Sequence, residues 1–240
     1  LDNGDVKCWG DNGYGQLGTG AQSTLYAPPS TSINLGTGRT AVALAAGHYY
    51  TCAILDNGDL KCWGRDNMGQ LGDGGAINWY DYTLSPSTTA IDLGTGRTAV
   101  AVAAGEAHTC AILDNGELKC WGMDVKGQLG DGGSDTNTAA PSSTAIDLGT
   151  GRTAVAVAAG SLHTCAILDN GDLKCWGDDN TGQLGNGPIY STPVRSPPST
   201  AIDLGTGRTA VAVSAGDGIT CAVLDNGELK CWGYDSHGQL

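Results

Sequence analysis

Nine cysteines fall into two aligned columns, and the ten-residue spacing between the columns suits disulfide chemistry. Cys52, Cys110, Cys165 and Cys221 form the first column; Cys62, Cys120, Cys175 and Cys231 form the second, joined by Cys8. Between each pair lie an apolar run, an Asp-Asn-Gly turn and a second apolar run, as from Cys52 through Asp56-Asn57-Gly58 to Cys62. Asparagine and glycine accept the positive φ of a tight hairpin turn. If Asp56-Asn57-Gly58 is a three-residue loop, Leu55 faces Asp59, Ile54 faces Leu60, Ala53 faces Lys61 and Cys52 faces Cys62. Directly opposed residues at a non-hydrogen-bonded pair bring their β-carbons within reach of a bridge. The predicted bridges are Cys52–Cys62, Cys110–Cys120, Cys165–Cys175 and Cys221–Cys231, with the partner of Cys8 expected before Leu1. Two other chemistries compete. Zinc sites pair cysteines a few residues apart, with further Cys or His nearby, which this spacing does not offer. Buried free thiols behave as small hydrophobes, and paired columns in every copy do not follow from that role. Disulfides persist in secretory, extracellular or periplasmic compartments, so an extracellular or cell-surface location is expected.

The remaining reactive side chains suggest no catalysis. His108 and His163 share one repeat position, where other copies carry Tyr50 and Ile219, so polar packing explains them better than ligation; His48 and His237 are isolated. Asp56-Asn57-Gly58-Asp59 offers two carboxylates and an amide, well short of the roughly six oxygens a calcium loop supplies. Gly94-Thr95-Gly96-Arg97 lacks the Gly-Lys-Ser/Thr ending of a phosphate loop. Arg39, Arg97, Arg152 and Arg208 recur there and are expected to pair with acidic neighbours such as Asp92. No nucleophile, base and orienting group come together, so neither enzyme activity nor a cofactor or metal is expected.

Composition narrows the partners. The chain has 240 residues, 39 of them glycine, no phenylalanine and a net charge of −13. Nucleic acid and anionic membrane surfaces both require clustered cations, which are missing. No apolar run reaches the length of a membrane span. Leu1 is not a start methionine, and Gly238-Gln239-Leu240 stops inside a motif that runs on in earlier copies. Both ends therefore read as cut from a longer protein, with any targeting signal outside this stretch.

The elements that must hold these residues repeat. Cys-Trp-Gly begins at Cys8, Cys62, Cys120, Cys175 and Cys231, at spacings of 54, 58, 55 and 56 residues. Between Gln-Leu-Gly and an aligned proline (Pro28, Pro86, Pro141, Pro197) lie 9, 13, 10 and 11 residues, and removing them leaves 45 positions each time. One variable loop per fixed frame is the behaviour of a packed unit with a free surface segment. The frame predicts strands over 98–105, 108–113 and 117–121, plus a short strand at Ile91–Leu93. Three or four short strands per repeat and no helix point to an all-β array, a propeller or a β-solenoid. The units run approximately 1–54, 55–112, 113–167 and 168–223, with a partial 224–240, in one repeat domain.

Trp63-Gly64-x-Asp66-x-x-Gly69-Gln70-Leu71-Gly72, preceded by Ala45-Ala46-Gly47 and by Thr51 through Gly58, resembles the RCC1 (regulator of chromosome condensation) repeat. The likeness covers essentially the whole chain. It implies a β-propeller, usually of seven four-stranded blades, of which this chain would supply an incomplete ring or an open β array. Intracellular members generally lack the cysteine pair, so the sequence resembles a secreted branch. Asp66, Asp124, Asp179 and Asp235 stand where the family often has the asparagine kept here as Asn12. Family members include a guanine-nucleotide exchange factor that also binds nucleosomes, ubiquitin-ligase modules, a light receptor and a secreted β-lactamase inhibitor. The fold therefore implies an interaction surface.

Trp9, Trp63, Trp121, Trp176 and Trp232 are expected to fill the wedges between blades. Trp79, Tyr80 and Tyr82, in the longest variable loop, are candidate partner contacts. Each variable loop ends in a Ser/Thr/Pro segment. Pro28, Pro29, Ser30, Ser85, Pro86, Ser87, Pro141, Ser142, Pro197, Pro198 and Ser199 are candidate O-glycosylation positions against a plain reading as solvated entries to the next strand. No Asn-x-Ser/Thr sequon occurs. The expected function is a non-enzymatic extracellular structural and interaction module that binds protein partners or itself, with an extracellular filament or coat as one form. The alternatives are a regulatory RCC1-type module acting by nucleotide exchange or enzyme inhibition, and a carbohydrate-binding propeller.

Overall fold

The computed structural model describes residues 1–133, 135–187 and 192–240, and every regular element among them is a strand. The first sheet runs β1 (Ala41–Ala46), β2 (Tyr50–Leu55), β3 (Leu60–Arg65) and β4 (Tyr82–Thr83), antiparallel and in chain order. Three more sheets repeat the pattern: β5 (Ala99–Ala104), β6 (His108–Leu113), β7 (Leu118–Gly122); β8 (Ala154–Ala159), β9 (His163–Leu168), β10 (Leu173–Gly177); and β11 (Ala210–Ala215), β12 (Ile219–Leu224), β13 (Leu229–Gly233). In the second and third sheets the place of β4 is taken by single bridges, Gly122 to Thr138 and Gly177 to Val194. These edges lie in the variable loops, whose differing lengths leave little room for a ladder.

The Asp-Asn-Gly hairpin sets the register. Gly58, at φ +81°, closes the turn, and its N–H bonds to Leu55 O while Leu55 N–H bonds to Asp59 O. Ile54 then faces Leu60, Ala53 faces Lys61 and Cys52 faces Cys62. All four hairpins keep this pairing and carry a disulfide across it, each with Cα atoms 4.1 Å apart. Among the described residues Cys8 is the one free cysteine.

Two local expectations are corrected. Ile91–Leu93 is not a strand; Ile91 N–H bonds to Leu60 O, but the Leu93 carbonyl is taken by the Lys119 ammonium at 3.0 Å, so no ladder forms. Arg97 does not pair with Asp92, whose carboxylate accepts the Gly94 N–H of its own turn. It pairs with Asp114 at 3.3 Å, because Asp114 N–H bonds to Thr98 O and brings that hairpin turn alongside. Arg39–Asp56, Arg152–Asp169 and Arg208–Asp225 repeat the pair.

The core lies between sheets rather than within them. Cys52, Cys62, Ile54 and Leu60 of the first sheet pack with Trp121, Leu113 and Ala111 of the second. Cys110, Cys120 and Leu118 of the second pack with Trp176 and Leu168 of the third. The first three staples thus sit in the apolar layer that their blade shares with the next, as Cys165 and Cys175 do with Trp232 and Leu224. The first strands β1, β5, β8 and β11 lie innermost, and the turns that follow them line one cleft of about 450 Å³, so the blades turn about a common axis.

Candidate functional site

The recurring Gln-Leu-Gly segment clamps each blade to the one after it. Trp121 Nε1–H donates to Gln70 O at 3.1 Å, and Thr109 Oγ1 donates to the same carbonyl at 2.8 Å. Trp63 and Thr51 do this to Gln16 O, Trp176 and Thr164 to Gln128 O, and Trp232 and Thr220 to Gln183 O. The glycine that follows must lie flat against the indole. At Gly72, with φ +75°, an added Cβ would stand 2.4 Å from Trp121 Nε1. The loop is shaped from within by the aspartates of Trp-Gly-x-Asp: Leu71 N–H bonds to Asp66 Oδ1 at 2.8 Å and Leu129 N–H to Asp124 Oδ1 at 2.9 Å. Asn12 holds Leu17 N–H in the same way. Trp63, Trp121 and Trp176 are fully buried, whereas Trp9, with no Gln-Leu-Gly segment before it in this sequence, is 56% exposed.

A second chain of hydrogen bonds crosses the blades at the histidine position. Thr164 gives its proton to Gln128 O, so His108 donates from Nε2 to Thr164 Oγ1 at 2.9 Å; His163 and Thr220 repeat the arrangement. Tyr50, their counterpart, donates its hydroxyl to His108 O. Burial lowers His108 to about 3, helped by the nearby His163, and lowers His163 to about 4 against the pull of Asp178 and Asp217. Burial raises Asp66 and Asp124 to about 7, above the opposing hydrogen bonds from Leu71 and Leu129.

These shifts oppose each other in stability. The folded carboxyls keep protons that the unfolded chain has lost, so their contribution is full near pH 4 and is lost as pH rises to about 7. The unfolded histidines gain protons below about pH 6.5 that the folded ones refuse, so their contribution is full above that value and is lost on acidification toward 4 and below. Wild-type stability is therefore expected to change little between pH 4.5 and 7. Asp66→Asn with Asp124→Asn should add on the order of 1–2 kcal/mol per site at pH 7 and leave stability rising with pH. Urea denaturation across this range checks both, and a variant no more stable than wild type at pH 7 contradicts the assignment.

The surface residues singled out by sequence do not form one group. Trp79 and Tyr80 are 73% and 89% exposed, while Tyr82, 39% exposed, lies on β4 with its ring edge-on to Tyr14 at 6.4 Å. Tyr14 in turn meets Tyr49 at 5.0 Å, Tyr49 stacks on His48 at 4.0 Å, and the Arg65 guanidinium lies 5.0 Å from the Tyr14 ring and 5.7 Å from that of Tyr49. Sequence reasoning missed this cluster. In the Ser/Thr/Pro segments Ser30, Ser85 and Ser199 are exposed, whereas the Ser87 and Ser142 hydroxyls already accept the N–H groups of Thr89 and Thr144. Among the described residues no three His, Cys, Asp or Glu side chains stand together as a metal site.

Comparison with known proteins agrees with this geometry. The Regulator of chromosome condensation (RCC1) repeat profile matches residues 3–54, 57–112, 115–167 and 170–223. The chain belongs to the RCC1-repeat family. A second profile of the same family matches 41–70, 99–128, 154–183 and 210–239, segments that each hold the three main strands of one blade and the start of its clamp loop. Human E3 ubiquitin-protein ligase HERC2 is 31% identical over 98% of this RCC1-repeat chain, which spans 5% of the ligase. The Ultraviolet-B receptor UVR8 of Arabidopsis thaliana is 30% identical over the full chain, which spans 52% of the receptor. Human WBSCR16 superposes with a TM-score of 0.82 at 23% identity, covering 97% of this chain and 57% of its own, and shows the same RCC1 β-propeller fold.

Proposed function

We propose that this RCC1-repeat chain works outside the cytosol as a non-catalytic module, whose stapled blades present their differing loops to protein partners. The observation that carries this reading is the set of four disulfides at one address in four successive blades, three of them buried. Bridges so placed form and persist under oxidising conditions, and cytosolic glutathione works against them. The frame is fixed while the loops differ in length and side chains, which is the division of labour between scaffold and contact surface. Exposed Ser30, Ser85 and Ser199, in extended Pro-containing segments, are the positions at which this reading places O-linked sugar. Directing the chain into the bacterial periplasm and, separately, into the reducing cytosol tests the reading. The periplasmic product should be oxidised and protease-resistant and the cytosolic one largely unfolded; equal stability from both compartments contradicts it.

A further inference from the structure

Each blade junction carries the same structural address with different side chains. It joins the residue two before the clamp glutamine (Tyr14, Met68, Lys126, Thr181) to the residue after Trp-Gly in the next blade (Arg65, Met123, Asp178, Tyr234). The backbone there is constant: Arg65 N–H bonds to Tyr49 O, Met123 to Ala107 O, Asp178 to Leu162 O and Tyr234 to Gly218 O, all at 2.8–2.9 Å. The side chains settle themselves in different ways. At the second junction Met68 lies against Asn137, whose Nδ2 is 3.1 Å from the sulfur. At the third, Lys126 and Asp178 form an ion pair at 3.1 Å.

The first junction is not settled internally. Arg65 lies against the faces of Tyr14 and Tyr49, and among the described residues it takes part in no ion pair and its buried Nε has no hydrogen-bond partner. The other five arginines all pair with aspartates: Arg39, Arg97, Arg152 and Arg208 with the hairpin turns, and Arg195 with Asp135 at 2.7 Å. Lys61, Lys119, Lys174 and Lys230 donate to leucine carbonyls, so among the described side chains Arg65 is the one arginine whose charge is met by tyrosine faces alone. Stacking on tyrosine faces fixes the guanidinium plane and keeps its edge donors free for the two oxygens of a carboxylate. Tyr82 and His48 widen the aromatic floor, and exposed Trp79 and Tyr80 stand in the loop that leads into β4. Arginine, tyrosine and tryptophan are the side chains that dominate protein contact energies.

We infer that the Arg65–Tyr14–Tyr49–Tyr82 cluster is a docking site for an acidic peptide segment of a partner protein, with Arg65 receiving an Asp or Glu carboxylate between tyrosine walls. The inference rests on the reading of the chain as an interaction module and names one of its contact sites.

A random peptide library panned against the intact oxidised chain tests it, with enriched peptides then titrated calorimetrically into wild type, Arg65→Gln, Arg65→Lys and the control Arg208→Gln. The expected result is enrichment of peptides bearing Asp or Glu. Their affinity should fall at least tenfold in Arg65→Gln and substantially in Arg65→Lys, which keeps the charge but loses the planar fork. Arg208→Gln and the Glu→Gln or Asp→Asn peptide serve as controls, the first binding normally and the second weakly. Equal melting temperatures of the variants show that folding is unaffected. The inference is overturned if no peptide is enriched, if enriched peptides lack an acid, or if binding ignores Arg65→Gln. It is also overturned if sedimentation shows a self-associating chain that Arg65→Gln turns monomeric, because the site then receives a second copy. Peptides that bind without need of Arg65 leave the interaction-module reading standing, whereas free thiols remove its extracellular setting without touching this site.

Discussion

Replacing Cys110 and Cys120 together by alanine should lower stability by about 2–3 kcal/mol, the loop-entropy value for a bridge closing so short a hairpin. At this chain size the loss corresponds to a fall of roughly 5–10 °C in Tm. The effect should not stay in one hairpin. Cys110 and Cys120 share an apolar layer with Leu118, Leu168 and Trp176, so loosening β6 and β7 also loosens the contact with the third blade. In an array where each unit touches only its neighbours, hydrogen exchange should rise in the second blade and in the two blades beside it and remain unchanged in the fourth, β11 to β13. Calorimetry and exchange on the double variant check the two parts. A Tm within 2 °C of wild type, or protection lost evenly across the chain, contradicts them.

Trp121→Ala should be the most damaging single substitution, costing about 3–5 kcal/mol, the usual range for emptying a buried aromatic site. Trp121 is fully buried against the Cys52–Cys62 layer and also anchors Gln70 through its indole N–H. Two milder variants separate the packing from the anchor. Trp121→Phe keeps most of the bulk and removes one hydrogen bond, leaving Thr109 on the same carbonyl, and should cost about 1 kcal/mol beyond the small volume change. Gly72→Ala keeps the indole but sets a Cβ against it at positive φ, and should cost more than about 1 kcal/mol. Denaturant midpoints at constant slope give these values. If Trp121→Ala costs less than 1 kcal/mol, the wedge and clamp do not hold the blades together.

The parts of this structure that local spacing controls are legible in the sequence. The three-residue Asp-Asn-Gly loop determines which residues face each other, so the Cys52–Cys62 register follows from counting along a hairpin, and the structure has that register. Trp63, Trp121 and Trp176 fill the wedges for the reason expected, since a chain without phenylalanine has few other large rings to bury. The clamp was hidden because its acceptor is a main-chain oxygen; Gln70 as a residue type does not announce what its carbonyl binds. Lys61, Lys119 and Lys174 were hidden for the same reason, each burying its stem to cap a leucine carbonyl 26 residues earlier in the chain. Sequence proximity favours Asp92 for Arg97, whereas the hairpin turn delivers the more distant Asp114. The Arg65 cluster draws on Tyr14, Tyr49 and Tyr82, which only the stacking of one repeat's loop on the next repeat's sheet brings together.

The staples underlie both the blade structure and the proposed extracellular role. The direct measurement is to block free thiols with iodoacetamide in the protein as taken from its native source, before any unfolding, and to map proteolytic peptides by mass spectrometry without reductant. The expected map contains four linked pairs, Cys52–Cys62, Cys110–Cys120, Cys165–Cys175 and Cys221–Cys231, each split into its halves only after reduction. Recovery of these eight cysteines as unlinked peptides, alkylated once the chain is unfolded in the presence of the reagent, contradicts both the stapled blade and the extracellular role built on it.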